Sequence, residues 1–268
     1  MTLSDAQLDV WLVFDGQRDD QRLREYAALL APDEIERARK FRDEPRRQQF
    51  VVTRALTRIA LSNYVAEVAP EEWRFVMGAH GKPALAPEFA PHGLYFNAAH
   101  TAGLVALAVA RVPDVGVDVE NLVDGHPPLS IASRYFDAAE VRDLDELPIG
   151  EKRVRFYALW TLKESWLKAT GRGLAAGLGN ISFSLDAAHR ARRVTLADDA
   201  GGAWRFWQAQ VSPEHLLALA VHSREEMDWR VSLSGTLPDT PPAPGALPTP
   251  RPLGDSPAGL GQEEGTQS

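Results

Sequence analysis

The 268-residue chain contains no cysteine. That excludes a thiol nucleophile, a disulfide framework and a thiolate zinc site, and it fits a reducing compartment, so the cytoplasm is the expected location. Basic residues are outnumbered, 29 Lys and Arg against 37 Asp and Glu, for a net charge of −8. An acidic chain is a poor general binder of nucleic acid or anionic membrane. No apolar run reaches the 18 residues of a membrane span, and MTLSDAQLDVWLVF lacks the basic region and apolar core of a signal peptide. G-x-x-x-x-G-K-[ST] and G-x-S-x-G are absent, and GRGLAAG (171–177) misses the dinucleotide-fingerprint spacing.

What is present centres on WTLKESWLKATGRGL (160–174). On a helix, Thr161, Glu164, Ser165 and Lys168 share roughly a third of the circumference, while Phe156, Leu159, Trp160, Leu162, Trp166 and Leu167 cover most of the rest. Such a helix lies inside the protein with one narrow polar stripe. Lys163 points away from Lys168, so the two should not share a task, and Gly171 suits the left-handed position after a last turn. Glu164 and Lys168 read blandly as an i, i+4 pair contributing about 0.3–0.5 kcal/mol. Their bulky apolar surround argues instead for a task, because charges rarely enter such company unpaired.

A second stretch, GVDVE (116–120), alternates Asp118 and Glu120 with Val117 and Val119, so both carboxylates leave one face of a strand. It follows LVALAVA (104–110), and the two read as a hairpin or as neighbouring strands; an edge strand with a polar side is the bland alternative. If Asp118, Glu120 and Glu164 converge, two charges about 4 Å apart repel by roughly 4 kcal/mol at an effective dielectric of 20, so a cation or protons must join them. An all-oxygen set favours Mg2+, and Mg2+ on few carboxylates keeps positions for substrate phosphates, which points to phosphoryl transfer. His100, just ahead of an apolar strand, reads either as a ligand contact or as a histidine packed under the strand.

The remaining elements read as a strand at 8–14, a helix opened by Pro32-Asp33-Glu34 and an amphipathic helix over 46–65. Beyond them come a loop at 78–83 between short strands, a helix capped by Asp137 and Glu140, and strands at ISFSL, AWRFWQAQV and HLLALAVHS. LVALAVA (104–110) and LLALAVH (216–222) match at five of seven positions, and RQQFVVTRALTR (47–58) parallels RVRFYALWTLKE (153–164). An α+β protein of two similar halves, 1–114 and 115–234, is expected. The Pro- and Gly-rich stretch 235–268 is expected to be a disordered tail.

GVDVE and WTLKESWLK, with GKPAL (81–85) and FNAAH (96–100) upstream, resemble in type and order the four motifs of Sfp-type 4′-phosphopantetheinyl transferases. The resemblance implies a pseudo-twofold pair of α+β halves with coenzyme A in the cleft between them. The implied reaction moves the phosphopantetheine arm onto a serine of an acyl or peptidyl carrier protein, releasing 3′,5′-ADP, in a monomer. By motif match, Asp118, Glu120 and Glu164 are Mg2+ ligands, Glu164 doubles as base for the serine, and Lys168 stabilises phosphate oxygens. Lys82 and His100 match coenzyme A contacts, joined by an arginine of the 46–54 region such as Arg47. Ala99 stands where the family often has serine, which implies one missing hydroxyl contact. A non-catalytic binder of coenzyme A or carrier protein, or another Mg2+-dependent phosphodiesterase, would use the same residue types.

Overall fold

The computed structural model describes residues 2–14, 20–78, 80–123, 129–173, 177–196, 202–234 and 251–252. The first half of the chain forms β1 (Gln7–Phe14), α1 (Asp20–Ala28), α2 (Pro32–Arg39), α3 (Glu44–Tyr64), β2 (Phe75–Met77), β3 (Pro83–Leu85), β4 (Tyr95–Thr101) and β5 (Leu104–Ala110). The second forms β6 (Val115–Asn121), α4 (Ala132–Tyr135), α5 (Ala138–Glu146), α6 (Ile149–Thr170), β7 (Ile181–Leu185), β8 (Ala191–Leu196), β9 (Ala203–Ser212), β10 (His215–Ser223) and β11 (Arg230–Ser234). The mixture of helices and sheets is α+β. The expected tail at 235–268 lies outside the described residues except for Arg251–Pro252, which pairs as β12 with β9.

Two four-stranded sheets, ordered β11-β1-β5-β4 and β12-β9-β10-β6, stack face to face. Leu8, Val10, Leu12, Leu104, Ala106 and Ala108 of the first meet Val115, Val117, Val119, Leu217, Leu219 and Val221 of the second in one buried layer. On the outer face of the first sheet, Trp11, Val105, Leu107 and Val109 pack on Val52, Leu56 and Leu61 of α3. On the outer face of the second, Leu216, Ala218 and Ala220 pack with Phe156, Leu159 and Leu162 of α6. Strand alternation thus feeds three cores from two sheets, and α6 is sheathed nearly all round because it lies between its sheet and the α5–β7 layer.

Two sequence expectations change here. The strands at 104–110 and 116–120 do not form a hairpin: β5 pairs with β1 and β4, whereas β6 pairs with β10. The link through Pro113 carries the chain from one sheet to the other. The five-of-seven match between 104–110 and 216–222 also joins opposite faces, since Leu104 and Ala106 face the inter-sheet layer while Leu216 and Ala218 face α6. A one-residue slip in a strand has that effect. The topology nevertheless repeats, because β1, α3, β4 and β5 have the sheet order β1-β5-β4 and β6, α6, β9 and β10 have β6-β10-β9. One strand crosses the division at 114/115, since β11 pairs in parallel with β1.

Gly116 explains itself at the contact of β6 with α6. A Cβ there would lie 2.0 Å from the Ser165 carbonyl oxygen and 2.5 Å from the Ala169 nitrogen, whereas one at Gly150 would meet nothing within 4 Å. Gly116→Ala is therefore expected to cost at least the 1–3 kcal/mol typical of overpacking. Gly150→Ala, in the first turn of α6, should be neutral or stabilising. Urea unfolding of both variants tests this: equal midpoints would mean that β6 does not need its close approach.

Candidate active site

Strand alternation sets the chemistry of β6. Val115, Val117 and Val119 enter the inter-sheet core, so Gly116, Asp118 and Glu120 face α6. From α6, Glu164 and Lys168 approach one turn apart. The Lys168 Nζ donates to Asp118 Oδ1 at 2.6 Å. The described ion pairs thus put Lys168 on the strand, not on Glu164 as the i, i+4 reading has it. Asp118 is 5% exposed, and its Oδ2 is buried with no hydrogen-bond partner.

Burial pushes the Asp118 carboxyl above the usual range, with the Lys168 ammonium pulling the other way. Glu120 is pushed up to about 7, first by desolvation and then by Asp118 and Glu164, while Lys168 and the Trp160 indole, which hydrogen-bonds it, favour its charged form. Glu164 is pushed up to about 7 by desolvation and by Asp118, opposed by Lys168. Three carboxylates therefore share one region with one lysine. Among the described residues, no three or more Asp, Glu or His side chains are placed close enough together to hold a metal ion as they stand.

Glu164 and Lys168 line a cavity of about 290 Å³ together with His80, Lys82, Asn97, Ala98 and Gly171. A second cavity of about 360 Å³, walled by Leu85, Tyr95, Phe96, Asp114 and Thr170, adjoins it and shares His80, Lys82, Pro83 and Gly171. Gly171, at φ 63°, ends α6 in the left-handed conformation expected of it. The cavities therefore lie where the β2–β3 hairpin and β4 of the first half meet the end of α6.

Other expected site residues fall elsewhere. Arg47 donates to Glu44 and lines a separate groove of about 380 Å³ with Leu23, Arg24 and Arg39, not the cavities that Lys82 lines. On α3 it is Gln49 that reaches β4, donating to the Thr101 carbonyl at 2.8 Å; Arg47, two positions back, points to the far side of the helix. Lys82 reaches the cavities, but its Nζ donates to the carbonyls of Pro113, Val115 and Ala169 at 3.1, 3.0 and 2.9 Å. Burial lowers its pKa to about 8, with Asp114 opposing. His100 sits exposed near the end of β4, which rules out a histidine packed under the strand. Ala99 is 4% exposed in the inter-sheet core, so its methyl is a packing group and a hydroxyl there would face apolar neighbours.

Two residues emerge that the sequence reading did not assign. Asn97, 6% exposed, accepts from the Val117 N–H at 2.9 Å and so holds the edge strand β6 against β4 one residue from Asp118. Trp160 supports Glu120 and stacks on Phe156, with ring centroids 5.7 Å apart. The signal for Asn97 is a lone amide in an apolar strand, which must find a partner once buried.

The profile of the 4′-phosphopantetheinyl transferase superfamily matches residues 114–220, the stretch that holds β6, α6 and β10. The 4′-phosphopantetheinyl transferase HetI of Nostoc sp. is 35% identical over 175 residues, which cover 65% of this chain and 73% of that protein. The chain belongs to this superfamily. A phosphopantetheinyl transferase of Thraustochytrium sp. is 30% identical over 206 residues, 72% of this chain and 70% of that protein. The 4′-phosphopantetheinyl transferase Sfp of Bacillus subtilis is 28% identical over 172 residues, 63% of this chain and 71% of that protein. As a phosphopantetheinyl transferase the protein is an enzyme, of the Sfp-type branch. Among the described residues no helix is long and apolar enough to cross a membrane.

The electrostatics give a test on the metal-free protein. Glu120 and Glu164 titrate near 7 when folded, against an ordinary 4.5. Between those values the folded state binds more protons than the unfolded one, so stability falls as pH rises from 4.5 to 7 and is then flat. In chelating buffer, Glu120→Gln should raise Tm by a few degrees at pH 8 and change it little at pH 5. Equal offsets at both pH values in scanning calorimetry would show that Glu120 is not held above its ordinary range.

Proposed function

We propose that the enzyme transfers the 4′-phosphopantetheine arm of coenzyme A to a serine of an acyl or peptidyl carrier protein, releasing 3′,5′-ADP, with Mg2+ as cofactor. The observation that carries this reading is the convergence of Asp118, Glu120 and Glu164 with Lys168 beside a two-lobed cavity, in a chain of this superfamily. The halves 1–114 and 115–234 supply opposite walls of that cavity, so one chain suffices and a monomer is the proposed working form.

The donor set suits Mg2+. All three candidate ligands, Asp118, Glu120 and Glu164, offer oxygen, Asp118 has a buried oxygen without a partner, and Asp118 raises the pKa of both glutamates. When bound, the ion supplies charge neutralisation for the ligands and for the pyrophosphate of coenzyme A. The protein supplies the rest. Lys168 presents an ammonium to the phosphate oxygens, where negative charge grows as the bond to the leaving 3′,5′-ADP breaks. Glu164 accepts the serine proton, directly or through one water, as the serine oxygen forms its bond to phosphorus. Asn97 and Trp160 hold Val117 and Glu120, one residue before and two after Asp118, and so limit its movement. His100, exposed near the end of β4, is the proposed contact for the 3′-phosphate, and Lys82 lines the cleft with its stem.

Mass spectrometry of an apo carrier protein incubated with coenzyme A and Mg2+ separates the alternatives. A transferase adds the phosphopantetheine mass, whereas a non-catalytic binder leaves the carrier unchanged. Asp118→Ala should abolish the adduct and leave a folded protein, with a Tm in chelator no lower than wild type because like-charge repulsion is relieved. An Asp118→Ala enzyme with near wild-type turnover would refute the ligand assignment.

His100→Ala tests the phosphate contact. A charge-assisted hydrogen bond to a phosphate contributes about 1.5–3 kcal/mol, roughly ten- to a hundredfold in affinity. The variant should lose about that factor in kcat/KM for coenzyme A and almost nothing for dephospho-coenzyme A. Equal losses with both substrates would remove His100 from the phosphate site.

A further inference from the structure

Lys82 holds three backbone carbonyls with one ammonium, and each belongs to a different piece of the second half or its entry. Pro113 lies in the link between the sheets, Val115 is the first residue of β6, and Ala169 is in the last turn of α6. All three N–H donors of the ammonium are thereby used. Carbonyls in the last turn of a helix have no partner within the helix, so the bond to Ala169 also caps α6 with a positive charge at its negative end. The lysine comes from the other half, just before β3, and its Cδ would lie 3.5 Å from a Cβ at Gly171, so its stem packs over the turn that ends the helix.

The bonded atoms flank the site. Ala169 follows Lys168, and Val115 is three residues before Asp118. The Lys168–Asp118 contact of 2.6 Å therefore spans the same two elements, β6 and α6, that the Lys82 ammonium ties together. We infer that Lys82 is a positioning residue, which fixes the end of α6 against the start of β6 and so sets the separation of Lys168 from Asp118. Its ammonium is committed to the protein and does not serve as a phosphate contact. Gly116 brings β6 and α6 close, and Lys82 locks them along the strand direction. A misplacement of about 1 Å at reacting groups costs on the order of a hundredfold in rate.

The inference rests on the proposed transfer reaction, and the test separates the two. Wild type, Lys82→Met and Lys82→Arg are compared for kcat and KM with coenzyme A and with dephospho-coenzyme A, alongside Tm. If wild type modifies no carrier protein, the functional reading fails. Given an active wild type, Lys82→Met should lose about ten- to a hundredfold in kcat with both substrates, at an unchanged ratio of their KM values. Lys82→Arg keeps the charge, but its planar fork cannot converge on three carbonyls around one point, so it should lose kcat on both substrates as well. A loss by Lys82→Met confined to coenzyme A, or full activity of Lys82→Arg, would show a phosphate contact and overturn the inference. Should Lys82→Met fail to fold, the Lys82→Arg comparison decides by the same criteria.

Discussion

The burial of Asp118 is the constraint on which the site depends. A carboxylate on a strand that packs against a helix cannot stay charged cheaply, and its surroundings are arranged around that cost. Lys168 meets one oxygen at 2.6 Å, and Asn97 secures the strand through the Val117 N–H. Gly116 lets the helix come near enough for Lys168 to reach. What remains uncompensated is the second oxygen of Asp118, together with the mutual repulsion of Glu120 and Glu164. Only Glu164 of the three reaches the cavity wall, beside Lys168, so the proposed cation would enter from that side.

The repeat is carried by charge as well as by topology. In the first half Arg58, fully buried on α3, pairs with Glu34 at 2.6 Å and donates to the carbonyls of Pro70 and Trp73. In the second, Lys163, fully buried on α6, pairs with Glu140 at 2.7 Å and donates to the carbonyls of Leu178 and Ile181. Each glutamate also accepts from the backbone N–H at the start of its short helix, Ala31 for Glu34 and Asp137 for Glu140. One cation in each half thus joins a long helix, a short helix and the turn leading to a hairpin. Removing one partner of such a pair costs about 3–5 kcal/mol, because the other is left charged and buried.

Much of this was legible in the residues, and the parts that were not have physical causes. The α6 stripe, the separate tasks of Lys163 and Lys168, the common face of Asp118 and Glu120 and the Asp137–Glu140 cap all follow from spacing within one element. Strand partners do not, because β6 finds β10 about a hundred residues later and the Pro113 link permits either a turn back or a change of sheet. Helix α1 is short and strongly polar and buries only Tyr26 among its residues, so its sequence offers few apolar anchors. Lys82 and Arg47 illustrate a different limit. A motif names a residue type, but where a long cationic side chain ends depends on which carbonyls and carboxylates the fold brings within its reach.

The repeat raises the question of why the candidate carboxylates gather in one half. At the matching place in the first half, Asp9 on β1 faces Tyr64 in the last turn of α3, much as Asp118 on β6 faces Lys168 near the end of α6. Tyr64 donates to Asp9 Oδ2 at 2.7 Å and accepts from the Trp11 indole at 3.1 Å, and Gln7 donates to Asp9 Oδ1 at 2.8 Å. Both oxygens of Asp9 are therefore satisfied by neutral donors. Asp118 keeps an open oxygen and gains Glu120 and Glu164 as neighbours. The two halves share a scaffold, and what distinguishes the second is that its strand–helix contact leaves a buried carboxylate oxygen without a hydrogen-bond partner.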